Sequence, residues 1–154
     1  MSAICLIDTS IFAEILNIPG KSDFHDEIML ELEVKITAGE LLFLPMAAII
    51  ETGNHIAQCD SGSDRRKCAV DFAQQVRKAL AGESPFRPIN FMNQEQLSQC
   101  LDEYPDCAMR GKGFGDLSII HDFSKLTKQN PGRKVYVWAL DGHLKTYCRE
   151  ARIG

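Results

Sequence analysis

Three short apolar runs, each ending abruptly, constrain this chain more than anything else in it. Ala3-Ile4-Cys5-Leu6-Ile7 stops at Asp8, Leu41-Leu42-Phe43-Leu44 stops at Pro45, and Val135-Tyr136-Val137-Trp138-Ala139-Leu140 stops at Asp141. Continuous apolarity, rather than alternation, belongs to strands covered on both faces, as in a parallel sheet flanked by helices. A fourth, short strand around Arg87 to Phe91 is placed at an edge or in a loop by Pro88, which cannot donate to a sheet ladder.

Helical patterns fill the intervals. Ile11, Phe12, Ile15 and Leu16 follow the start signal Thr9-Ser10. Phe24, Ile28, Leu32 and Ile36 recur every four residues, and Gly39 supplies a stop. Pro45 fits the first helical position before Ile49, Gly53 and Ile56. Ala69, Phe72, Val76 and Leu80 mark a helix opened near Ser63-Asp64 and closed by Gly82. Leu97 and Leu101 support a shorter one. Ile119, Phe123 and Leu126 define a helix that begins near Gly115-Asp116 and fades before Asn130-Pro131-Gly132. The order β-α-α-β-α-α-(β)-α-α-β-α is that of a three-layer α/β/α domain with a central, mainly parallel sheet, and 154 residues suit a single domain over 1–154.

Ligands of such sheets gather at the carboxyl ends of the strands. Asp8 and Asp141 each lie at that edge, directly after an apolar run, although either could instead cap the helix that follows. Asp116 precedes Ile119 and Ile120 by three and four residues, so it heads the inward face of its helix. A carboxylate there needs donors or a cation. Gly111, Gly113 and Gly115 around it point to a tight bend or a close approach, with a cap as the alternative. Glu51 lies too far into its helix to cap it, about 9 Å from the start along the axis; a solvated surface glutamate is the alternative. Four carboxylates on one rim repel unless protonated or neutralised, and hard cations do this with oxygen ligands. An all-oxygen set favours Mg²⁺ or Mn²⁺ over zinc.

These segments resemble the PIN domain, the fold of VapC-type toxin ribonucleases. The resemblance is carried by Ile4-Cys5-Leu6-Ile7-Asp8-Thr9-Ser10, by Pro45-Met46-Ala47-Ala48-Ile49-Ile50-Glu51, by Gly113-Phe114-Gly115-Asp116-Leu117-Ser118-Ile119-Ile120 and by Val137-Trp138-Ala139-Leu140-Asp141. It implies a metal-dependent endonuclease acting on RNA, with Asp8, Glu51, Asp116 and Asp141 as the acidic quartet and Thr9 or Ser10 as the hydroxyl beside the first acid. Many relatives carry Thr two residues before the fourth acid, where this chain has Ala139, so Asp141 is the weakest of the four matches. An antitoxin protein and a second copy of the chain are the partners such a protein would have. The helix over Phe24–Ile36 or that over Ala69–Leu80 could supply the interface between copies. A catalytically silent PIN-like module that binds nucleic acid or protein is the alternative, and four acids together argue against it.

Other features weigh less. Arg110 and Lys112 could steer phosphate and His143 could reach the site, though all three also read as solvated surface. His55 and Cys59 at i, i+4, with Cys68 beyond, make a zinc site conceivable, but two close-spaced ligand pairs are usual. The six cysteines, with no CxxC pair, read as packed thiols. A receiver-type domain would need an aspartate after the middle strand, where Leu44-Pro45 stands. Gly111-Lys112-Gly113-Phe114-Gly115 lacks the preceding strand and closing Lys-Ser/Thr of a phosphate loop. The net charge of −4 disfavours a broad basic surface for long nucleic acid. It does not exclude an acidic pocket neutralised by metal. No run approaches the ~20 apolar residues of a membrane span, nor does Met1–Ile7 resemble a signal peptide, so the expectation is a cytoplasmic protein.

Overall fold

The computed structural model describes residues 1–152. Each apolar run forms a strand, the second over its whole length and the others slightly shortened: β1 is Ile4–Ile7, β2 Leu41–Leu44 and β4 Val135–Trp138, with β3 at Phe86–Pro88 and β5 at Cys148–Arg149. They form one sheet in the order β3-β2-β1-β4-β5, parallel except for β5. Pro88 ends the edge strand β3, where its missing N–H costs no ladder bond.

The helices are α1 (Thr9–Ile15), α2 (His25–Thr37), α3 (Met46–Ala57), α4 (Gly62–Leu80), α5 (Gln94–Met109) and α6 (Phe114–Gln129). Alternation along each strand sends side chains to two cores. Cys5, Ile7, Leu42, Leu44 and Trp138 pack with Ile11, Phe12, Ile28, Leu32 and Ala79 on one face. Ile4, Leu6, Val135 and Val137 pack with Ile119 and Leu126 on the other. Helices therefore lie on both faces, an arrangement compatible with three α/β/α layers. Among the described residues no helix is long and apolar enough to cross a membrane.

Four expectations need correction. The described residues after Asp141 form no α-helix; they make one 3₁₀ turn, Leu144–Thr146, and the antiparallel β5, with Leu144 fully buried and Tyr147 partly buried against the same core. Pro45 is the cap of α3 rather than its first residue. The helix built on Leu97 and Leu101 runs for 16 residues, past Pro105, started by a capping box between Asn93 and Gln96 and held to α6 by Tyr104 on Phe114. The four-residue ladder on α2 is half exposed: Ile28 and Leu32 are buried, while Phe24 and Ile36 face out. A spacing of four residues drifts ~40° per step around a helix of 3.6 residues per turn, so the ends of such a ladder leave the buried face.

Candidate metal and nucleic-acid site

The carboxyl ends of β1 and β4 lie side by side, Ile7 opposite Trp138, with the Asp8 N–H donating to the Trp138 carbonyl at 3.0 Å. Asp8, Glu51, Asp116 and Asp141 all line one cleft of about 390 Å³ at this edge. Two are held by the adjacent hydroxyls, each taking a different acid. The Ser10 hydroxyl donates to the Asp8 carboxylate at 2.8 Å and accepts from the Leu140 N–H at 3.1 Å, tying α1 to the exit of β4. The Thr9 hydroxyl donates to Glu51 at 2.9 Å across α1 and α3.

Asp8 serves as the α1 cap as well, accepting from the Ser10 N–H, so its two readings coexist. Asp141 accepts from the His143 N–H at 3.0 Å, a turn contact that leaves its second oxygen for the cleft. Asp116 is not a cap, since Gly113 occupies that position and Asp116 is the third residue of α6. Gly115 has a steric reason: a Cβ there would overlap the Glu51 carboxylate. The glycine lets α6 bring Asp116 against α3.

Burial is the largest influence on both Asp8 and Asp116, and it raises both above the usual carboxylate range. For Asp8 the Ser10 bonds work against this and Asp141 adds to it. For Asp116 the charges of Asp8, Glu51 and Asp141 all add to it, with His143 opposing. One carboxylate thus senses the other three.

Arg110, Lys112 and His143 do not line the cleft. Arg110 caps α5, and the His143 ring packs edge-on against Tyr147. Ala139 is buried among Leu144 and the second core, so the position where relatives carry Thr is an apolar contact here. All six cysteines are free thiols, Cys59 and Cys68 belonging to a small apolar cluster with Phe72.

Glu14, Lys21, Asp23, Phe24 and His55 also line the cleft, with Ala13 and Leu140. Glu14 carried one signal, a charge inside the apolar stretch Ile11–Leu16; Phe24 stood as the first rung of an apolar ladder and His55 as half of an i, i+4 pair with Cys59, while Lys21 and Asp23 lie in a loop with no periodic mark. Comparison with family models, with curated proteins and with solved structures found no match.

The donor chemistry suits a hard cation, being carboxylate and hydroxyl oxygen throughout. Among the described residues, no three His, Cys, Asp or Glu side chains converge into a closed set of metal ligands. Mg²⁺ fits such an open arrangement, because it keeps several waters and is commonly held by one or two carboxylates.

Proposed function

We propose that this chain is a metal-dependent endoribonuclease of the PIN type, hydrolysing RNA phosphodiester bonds at the acidic cleft. The observation that supports this most is Asp116: a half-buried carboxylate, placed by a glycine and not used as a cap, facing three others. An inward cluster of like charges costs stability, and a divalent cation is the simplest group that offsets it.

Asp8 and Asp116 would hold the ion, with Asp141 binding directly or through water. A bound Mg²⁺ or Mn²⁺ supplies neutralisation of the phosphate charge and a more acidic water. Glu51, which accepts a hydrogen bond from the Thr9 hydroxyl, would orient such a water or accept its proton. Ser10 keeps Asp8 aligned. With the resemblance to VapC-type proteins, the reading extends to the toxin of a toxin–antitoxin pair, with an antitoxin protein as partner and self-association through an exposed helix face.

One observation favours a second reading, a silent PIN-like binding module: the acids line a common cleft without closing on a single point. The two separate on one experiment. Single-stranded RNA and DNA are incubated with the protein in Mn²⁺, Mg²⁺ or EDTA, alongside Asp8→Asn and Asp116→Asn. Cleavage that needs metal and both aspartates supports the nuclease. Metal binding without cleavage supports the silent module.

A further inference from the structure

Beside the four acids, the cleft has a rim of different chemistry. Lys21 is the one Lys or Arg side chain that lines it. The only ion pair among the described residues is His121 with Glu103, so no described carboxylate pairs with the Lys21 ammonium. Phe24 lines the same cleft and is 49% exposed.

The segment bearing these two side chains is pinned at each end. The Lys21 N–H and the Ser22 hydroxyl both donate to the carbonyl of Ile18, at 3.0 and 2.8 Å, and the Ile18 side chain is fully buried. The Phe24 N–H donates at 3.1 Å to the carboxylate of Glu14, itself only 2% exposed. The next ring, His25, hydrogen-bonds through Nδ1 to the Glu14 carbonyl at 2.5 Å. Burying a carboxylate is costly. Here its one intramolecular bond fixes the backbone under an aromatic ring that contributes nothing to the core. A side chain left exposed on a fixed backbone has part of its ordering cost met in advance, which favours binding.

We infer that Phe24 and Lys21 form a nucleotide subsite beside the acidic cleft, the ring stacking an unpaired base and the ammonium meeting the neighbouring phosphate. This rests on the nuclease reading and adds substrate selection to it: the site takes single-stranded nucleic acid, because a base inside a duplex cannot present its face to the ring. The cation also offsets repulsion between substrate phosphates and Asp23 on the same rim.

The test measures binding and hydrolysis separately. Fluorescence anisotropy reads the affinity of a labelled hexauridylate, and of a blunt RNA duplex, in Ca²⁺ for the wild type and for Phe24→Leu, Phe24→Trp and Lys21→Gln. Phe24→Leu keeps apolar bulk at an exposed position and is expected to weaken hexauridylate binding by about fivefold or more, the lower end of one lost base stack. Phe24→Trp is expected to restore it. Lys21→Gln is expected to reduce the slope of log affinity against log salt by about 0.7, one phosphate contact to a single strand. Hydrolysis of bis(p-nitrophenyl) phosphate in Mn²⁺ by the wild type reads the chemistry of the acidic cleft apart from oligonucleotide binding. Equal hexauridylate affinity in wild type and Phe24→Leu overturns the subsite, as does tighter binding of the duplex or no binding at all. Loss of self-association in Phe24→Leu with nucleotide affinity intact also overturns it, assigning the ring to a contact between copies. Failure of the wild type to hydrolyse any phosphodiester overturns the nuclease reading instead, and leaves the binding result standing.

Discussion

Asp116 illustrates a carboxylate kept where it lowers stability. Its neighbours Asp8, Glu51 and Asp141 raise its proton affinity, so removing its charge is expected to stabilise the metal-free fold while removing function. Asp116→Asn should raise Tm in EDTA and lower cleavage by about a hundredfold or more, as expected of a group that acts on the transition state; thermal melts and initial rates read the two effects. Gly115→Ala is a sharper test of geometry. Alanine favours a helix by about 1 kcal/mol over glycine, yet its Cβ would drive the Glu51 carboxylate, a flexible chain end, off the Thr9 hydroxyl. Stability should hold or rise, and cleavage should fall by about tenfold or more, the scale of a misplaced catalytic group. Asp8, Asp141 and Asp116 were legible in the sequence because each sits at a marked place, a strand end or a helix start, whereas Glu51, the sixth residue of α3, has no such mark. Lys21 and Phe24 were not: their position depends on a bond to Glu14 that no local pattern announces. Phe24 in particular looked like the first rung of an apolar ladder.

At the scale of elements, the strands were legible because burial on both faces leaves no room for polar residues. The end of the chain was not, since β5 is two residues long and is held by contacts remote in sequence. Arg149 on β5 donates through its guanidinium to the carbonyls of Thr127 at 2.9 Å and of Asn130 and Arg133, closing the end of α6 onto the sheet. These carbonyls carry the partial negative charge of a helix C-terminus and the turn after it. Arg149→Ala is expected to cost about 1.5–3 kcal/mol, the scale of a hydrogen bond to a charged group, measurable by urea denaturation. The cleft lies at the opposite, carboxyl end of the parallel strands, so cleavage per folded molecule should not change. The extent of α5 was not legible for a different reason: Leu97 and Leu101 mark only part of it, and the capping box and the Tyr104–Phe114 contact carry it past Pro105 despite the bond that proline removes.

For the whole molecule, the raised carboxyls of Asp8 and Asp116 set a direction for stability against pH. The folded state keeps these protons to a higher pH than the unfolded chain, whose aspartates titrate near 3.9. Stability is therefore greatest while they are protonated and falls as pH rises through their folded range. A cation that replaces the protons restores it. Mn²⁺ is expected to raise Tm more at pH 7.5 than at pH 5, by an increment that grows with metal concentration; differential scanning fluorimetry across both variables reads this, and an equal shift at the two pH values would contradict it. The layered α/β architecture follows from the order of apolar runs and helical intervals. Asp8 and Asp141 meet because their runs deliver them to one edge, whereas α3 and α6 bring Glu51 and Asp116 to it. What the order does not supply is how closely those acids approach, which Gly115, Thr9 and Ser10 determine together. The most direct measurement of the central claim is cleavage of single-stranded RNA by the intact chain in Mn²⁺, with EDTA and Asp116→Asn as controls. Cleavage lost in both controls is the expected result; cleavage that persists in either contradicts the metal site proposed for this cleft.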